Sequence, residues 1–184
     1  MIRKAVIPVA GLGTRLMPAT KEQPKEMLPV FSNTNGQICV KPLVQIIFEN
    51  IYDAGVRDFY FIIGRGKRVI EDHFTQDYEY LRMLENVGKD VASTELQRFY
   101  KKLENSRIVW VNQPSPRGFG DAVLKVHNII GNEGFLVHAG DTHIISNEHN
   151  YLQELADEYE RLDSDAILLL QEVEDPKHYG VVEV

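Results

Sequence analysis

The chain of 184 residues is 43% hydrophobic and 26% charged, a balance that suits a globular domain able to bury about two-thirds of its unfolded surface. A formal net charge of -7 gives no electrostatic ground for a nucleic-acid or anionic-membrane partner, so an anionic ligand needs a local cluster of positive charge. Cys39 is the single cysteine; it excludes an internal disulfide, argues against a thiolate metal site, and reads as a small apolar filler.

The elements alternate along the chain. Ala5 to Val9 predicts a buried strand, and its apolar run is too short for a signal peptide. Ser32 to Gln37 predicts a hairpin-like turn. Pro42 to Ala54 predicts a helix closed by Gly55. Phe59 to Ile63 predicts a second strand stopped by Gly64-Arg65-Gly66, and Val69 to Phe74 a short helix. The Gly64-Arg65-Gly66-Lys67 link could hold phosphate, but a strand-to-helix turn is the simpler reading. Tyr78 to Glu104 is polar and helical in pattern, interrupted at Gly88, most simply a solvated face.

Ile108 to Val111 predicts a third strand, Asp121 to Ile129 a helix and Phe135 to His138 a fourth strand. Glu148 to Leu162 predicts a helix, and Ala166 to Leu170 a fifth strand. Continuous apolar strands joined by helices imply an α/β fold, a Rossmann-like mostly parallel sheet with helices on both faces. Ligands of such sheets bind beyond the carboxyl ends of the strands. The longest late apolar run, Ala166 to Leu170, is far below a membrane span; a cytoplasmic protein is expected. The closing Tyr179-Gly180-Val181-Val182-Glu183-Val184 looks like an unfinished strand.

The first strand runs into Ala10-Gly11-Leu12-Gly13-Thr14-Arg15-Leu16. Two glycines let the backbone turn sharply and bring N–H groups to a phosphate. Leu16 stands where a dinucleotide fingerprint needs its third glycine, which counts against a nicotinamide oxidoreductase, and no Walker lysine follows. Pro18, Pro24 and Pro29 stiffen the continuation and hold Arg15 and Lys25 on a rigid loop. Two cations beside a glycine turn suit a triphosphate in an otherwise acidic chain.

Val9-Ala10-Gly11-Leu12-Gly13-Thr14-Arg15 through Pro24-Lys25-Glu26-Met27-Leu28-Pro29 resembles the signature of the sugar nucleotidylyltransferase family, in the wording of its bacterial-type UTP–glucose-1-phosphate uridylyltransferase branch. The resemblance implies the nucleotide-diphospho-sugar transferase type of fold. It also implies conversion of UTP and glucose 1-phosphate to UDP-glucose and pyrophosphate, in one domain over residues 1–184 that lacks its carboxy-terminal part. It assigns Ala10, Gly11, Gly13, Thr14, Arg15, Lys25 and Glu26 to the nucleotide, with Arg15, Lys25 and Asp141 carrying catalysis. Gln113, after the third strand, and Gly118 are implied in the base pocket; a primary amide offers the donor and acceptor that an imide edge needs. Pro114 departs from the glycine common after that glutamine, and the Ser32 to Gln37 insertion departs from the commonest bacterial form.

Asp141, at the carboxyl end of the fourth strand, is implied as the Mg²⁺ ligand; by position alone it could equally cap a helix. His138 and His143 flank it, but a phosphate-bound metal favours oxygen ligands. Gly180 is implied at the sugar. The family's Glu-Lys-Pro lysine and its second metal-binding aspartate would lie beyond Val184. A dTTP-dependent thymidylyltransferase and a non-catalytic sugar-nucleotide-binding paralogue are the competing readings. Expected partners are the small-molecule substrates, with self-association into a homo-oligomer left open.

Overall fold

Lys4–Pro8 (β1) and Asp58–Ile63 (β4) lie at the centre of a four-stranded sheet, and their middle residues are fully buried because both faces are covered. This is the computed structural model of the chain, describing residues 2–34, 36–145, 150–178 and 180–182. The chain divides into two compact units, Ile2–Ile145 and Ser146–Val184.

In the first unit, β1 continues into an antiparallel hairpin of Pro29–Thr34 (β2) and Gln37–Pro42 (β3). The expected turn is there: Gly36 sits at φ 82° and donates its N–H to Asn33 Oδ1 at 3.0 Å. Asn35 lies outside the described residues. Cys39 is half-buried on this hairpin, not in the core, between exposed Ile38 and Val40. At the hairpin's base, buried Lys41 pairs with Glu49 at 2.8 Å and Glu95 at 3.0 Å.

Leu43–Asp53 (α1) leads to β4, and Arg68–His73 (α2), Tyr78–Asn86 (α3) and Asp90–Glu104 (α4) lead to Arg107–Asn112 (β5). Phe119–Leu124 (α5) and His127–Ile130 (α6) precede Leu136–Val137 (β6). The predicted helix over Asp121 to Ile129 is thus two short helices, separated at Lys125 and Val126.

The sheet order is β5-β4-β1-β6, with every pair parallel. Alternation along β4 splits the core in two. Phe59 and Phe61 meet Phe48, Phe74 and Trp110 on the face covered by α1, α2 and α4, with Phe48–Phe59 and Phe61–Trp110 centroids at 4.6 and 4.9 Å. Tyr60 and Ile62 join Val6, Ala122, Val126 and Ile130 on the other face, under α5 and α6. The expected doubly covered parallel sheet is therefore present.

The stretch from Tyr78 to Glu104 is more than a solvated face. Gly88, at φ 68°, breaks it into two helices, and α4 buries Phe99, Tyr100 and Leu103 on one side.

The second unit holds Tyr151–Leu162 (α7), whose Asn150 cap accepts N–H bonds from Leu152 and Gln153 at 3.2 and 3.4 Å. Glu148, in the predicted start of this helix, lies outside the described residues. The fifth strand predicted over Ala166 to Leu170 does not form, and Leu168, Leu169 and Leu170 are exposed. An apolar run signals burial, whereas a strand needs a partner edge; the described residues of this unit contain no other strand. Gly180 to Val182 carry no strand pairing either, while Tyr179, Glu183 and Val184 lie outside the described residues. No helix among the described residues is long and apolar enough to cross a membrane.

Candidate active site

Four loops meet at the carboxyl edge of the sheet, and backbone contacts join them side by side. The strand order reverses at β1, with β4 and β5 on one side and β6 on the other, the kind of switch point where parallel sheets open a ligand crevice. Beyond β6, Gly140 N–H donates to Pro8 O at 3.2 Å. A β-carbon on Gly140 would stand 2.4 Å from Val9 Cγ1 and 3.1 Å from Pro8 O, so only glycine lets this loop lie against β1. On the other side, Gly64 packs on Ala10, where an added β-carbon would meet Ala10 O at 3.2 Å. Gln113 N–H donates to Ile63 O at 2.7 Å. Asp141, Gly11, Gly64 and Gln113 thus follow four neighbouring strands at one edge.

The glycine loop is held by its own side chains. Gly13 takes φ 70°, caps a 3-10 turn over Thr14–Leu16, and accepts at its carbonyl from Leu16 N–H at 3.0 Å and Thr20 Oγ1 at 2.7 Å. Arg15 on that turn is exposed, without an ion-pair partner among the described residues. Lys25 begins a second 3-10 turn, Lys25–Met27, set by buried Pro24. Its side chain crosses the loop: Nζ lies 3.3 Å from where a β-carbon of Gly11 would be, and it pairs with Asp141 Oδ2. A cation is therefore placed over the glycine backbone, with a carboxylate beside it.

A family model described as nucleotidyl transferase matches residues 4–184. The chain belongs to the nucleotidyl transferase family.

Among relatives, it is 43% identical to UTP–glucose-1-phosphate uridylyltransferase of Bacillus subtilis (strain 168), over 99% of this chain and 59% of that protein. It is 38% identical to the Streptococcus pneumoniae protein of the same name, over 98% of this chain and 58% of that one. The chain thus spans a little under three-fifths of the length of these curated relatives. Among solved structures, UTP-bound UGPase from Acinetobacter baumannii matches with a TM-score of 0.77 at 30% identity, over 89% of this chain and 54% of that one. UDP-glucose pyrophosphorylase complexed with UDP-glucose matches with a TM-score of 0.69 at 33% identity, over 89% and 55%.

In this nucleotidyl transferase Gln113 and Gly118, the two residues expected at the base, are already engaged with the protein itself. Gln113 is only 4% exposed, and its Nε2 donates to Asp121 Oδ2 at 2.7 Å and to Gly118 O at 3.4 Å. An ionised carboxylate only accepts, so Asp121 settles which end of the amide is nitrogen. The hydrogen bond from Gln113 is also the main reason that Asp121 titrates below the usual carboxylate range. Gly118, at φ 105°, opens α5. Asp121 was missed in the sequence; its signal was an acid in the first turn of a helix, eight residues after the glutamine.

Glu26 stands apart from the other candidates. It is 1% exposed and paired with Lys67, so its side chain is closed to a ligand in this arrangement. Burial raises its pKa, partly offset by the Lys67 ammonium. His138 is buried with Nδ1 2.8 Å from Ala139 O, and burial lowers its pKa. Among the described residues no group of three His, Cys, Asp or Glu is placed to hold a metal, so His138, Asp141 and His143 do not form a preassembled centre. Gly180 belongs to the second unit, where it is exposed.

Proposed function

We propose that this chain supplies the nucleotide-binding part of an enzyme that makes UDP-glucose and pyrophosphate from UTP and glucose 1-phosphate. The observation that carries the reading is Lys25, held by Asp141 over the Gly11 backbone. A triphosphate entering here meets the loop N–H groups and exchanges places with one partner of an existing ion pair. Lys25 moves its charge from Asp141 to phosphate oxygens, and Arg15 takes the leaving pyrophosphate.

Asp141 is a single carboxylate at the mouth of the site, which fits Mg²⁺ only in the mode where phosphates and water complete its shell. Bound there, Mg²⁺ would neutralise phosphate charge. A phosphate oxygen of the sugar attacks the α-phosphorus of UTP in line; its P–O bond forms as the bond to the β-phosphate breaks. The attacking oxygen is already anionic, so no protein nucleophile is required. Positioning and charge neutralisation are what the residues contribute. Ala10, Gly11, Gly13 and Thr14 supply loop backbone, Glu26 supports the Lys25 turn, and Gly180 is assigned to the sugar.

At the base, Asp121 and Gly118 occupy the donors of Gln113, which leaves Oε1 to accept. An acceptor there selects a base with an imide N–H, uracil or thymine, against cytosine, whose ring nitrogen is itself an acceptor.

Calorimetric titration with UTP, dTTP and CTP tests the reading, with pyrophosphate release on the same preparation of the 184-residue chain. UTP is expected to bind with Mg²⁺ and CTP not to, and pyrophosphate release reads whether these residues turn the substrates over. A chain that binds no uridine nucleotide overturns the proposal; a stronger dTTP response moves it to the thymidylyl branch. Robust turnover would show that these residues already form a complete site.

A further inference from the structure

Behind the Lys25 turn lies an ion pair whose lysine has no part in the chemistry above. Lys67 closes the link from β4 to α2, and its Nζ lies 2.8 Å from Glu26 Oε2. Both side chains are more than nine-tenths buried, at 8% and 1% exposure. Removing two charges from water at such a place costs at least as much as their attraction returns, so stability alone does not account for the pair. Geometry does. Glu26 is the backbone neighbour of Lys25 in the same 3-10 turn. Lys67 grips that turn from the β4–α2 side while Lys25 reaches the other way, to Gly11 and Asp141.

We propose that Lys67 is a positioning residue for the nucleotide's phosphates, acting through Glu26 to hold the turn that presents Lys25. Lys67 does not touch the ligand. The inference rests on the reading of Lys25 as a phosphate-binding residue, and it separates the two halves of the nucleotide. The phosphates depend on the Lys67–Glu26 brace, whereas the nucleoside depends on Gln113, which is fixed independently by Asp121.

The test is titration of UTP and of uridine into the chain and its variants, beside thermal unfolding. Lys67→Met combined with Glu26→Gln removes both buried charges together. This double variant is expected to keep its unfolding midpoint, lose UTP affinity roughly tenfold, the scale of one misplaced charged hydrogen bond, and bind uridine as before. In a Lys25→Ala background the same pair of changes should cause no further loss, because the residue they act through is gone. Lys67→Arg keeps the cation for Glu26 but places it through a bulkier, planar head and serves as the milder variant should the double one not fold; a several-fold loss confined to UTP is expected. Unchanged UTP affinity in a folded variant overturns the inference, as does an equal loss for uridine, or an additive loss on Lys25→Ala. A wild-type chain that ignores UTP overturns the reading of Lys25 and this inference with it.

Discussion

Lys25 and Asp141 are 116 residues apart in the chain and form an ion pair at the carboxyl edge of the sheet, across the glycine loop. Both ends are partly exposed, at 18% and 32%, so the pair contributes only about 0–1 kcal/mol to folding. On the proposed function, its worth is in what it presents to a ligand.

On the proposed function, Lys25→Ala should accordingly leave the unfolding midpoint nearly unchanged while lowering turnover by roughly a hundredfold, the scale of losing one preorganised electrostatic contact. Arg15→Ala should act comparably. Steady-state kinetics decide it: normal turnover in the Lys25 variant would make the lysine a surface charge.

Gly140→Ala should act through sterics. The new methyl group would meet Val9 Cγ1 at 2.4 Å and the Pro8 carbonyl at 3.1 Å, and overpacking of this kind costs about 1–3 kcal/mol. The loop must retreat from β1 and take Asp141 with it, weakening Mg²⁺-dependent UTP binding. Gly120→Ala is the control: its β-carbon meets nothing within 4 Å, and in helix α5 alanine is favoured by about 0.5–1 kcal/mol. Thermal unfolding of the two variants should move in opposite directions.

Asp121→Ala should loosen base selection. Without the carboxylate the Gln113 amide can turn over and offer its NH₂ end, so CTP gains on UTP. UTP affinity is expected to fall about tenfold, the loss of one hydrogen bond to a charged group. Competition titration of CTP against UTP reads both changes; unaltered selectivity would mean that the amide is oriented by something else.

His73 makes stability sensitive to acid. Burial lowers its pKa from 6.5 to about 4, with the ring stacked on Phe99 at 5.2 Å and Nε2 2.9 Å from Gln45 Oε1. The folded state holds the ring neutral, whereas the unfolded chain protonates it below 6.5. Stability is therefore unaffected above that pH, falls as pH drops from 6.5 toward 4, and falls no further from this cause below 4. The full loss is roughly 3 kcal/mol. Urea unfolding of wild type and His73→Phe at pH 7 and 4.5 should show a smaller acid-induced loss in the variant; parallel losses would assign the acid sensitivity elsewhere.

β1, β4 and β5 were legible to within a residue or two because strands covered on both faces are written as unbroken apolar runs. The Lys25–Gly11–Asp141 grouping was legible only as far as strand ends could be placed on one edge. Lys67 is legible only as part of a turn, since nothing local to Gly64-Arg65-Gly66-Lys67 announces a carboxylate 41 residues earlier. Ala166 to Leu170 misled for the converse reason: hydrophobicity says that a segment prefers cover and does not say which edge it pairs with.

The stacking of Trp110 on Phe61 has an optical consequence. Trp110 is the only tryptophan in the chain, half-buried on β5 and three residues before Gln113. All indole emission therefore comes from one known place, between the aromatic core and the loop assigned to the base. A shift of that emission on adding nucleotide would report events at the β5 end alone, while a change at the Lys25 turn would leave the colour of the fluorescence untouched.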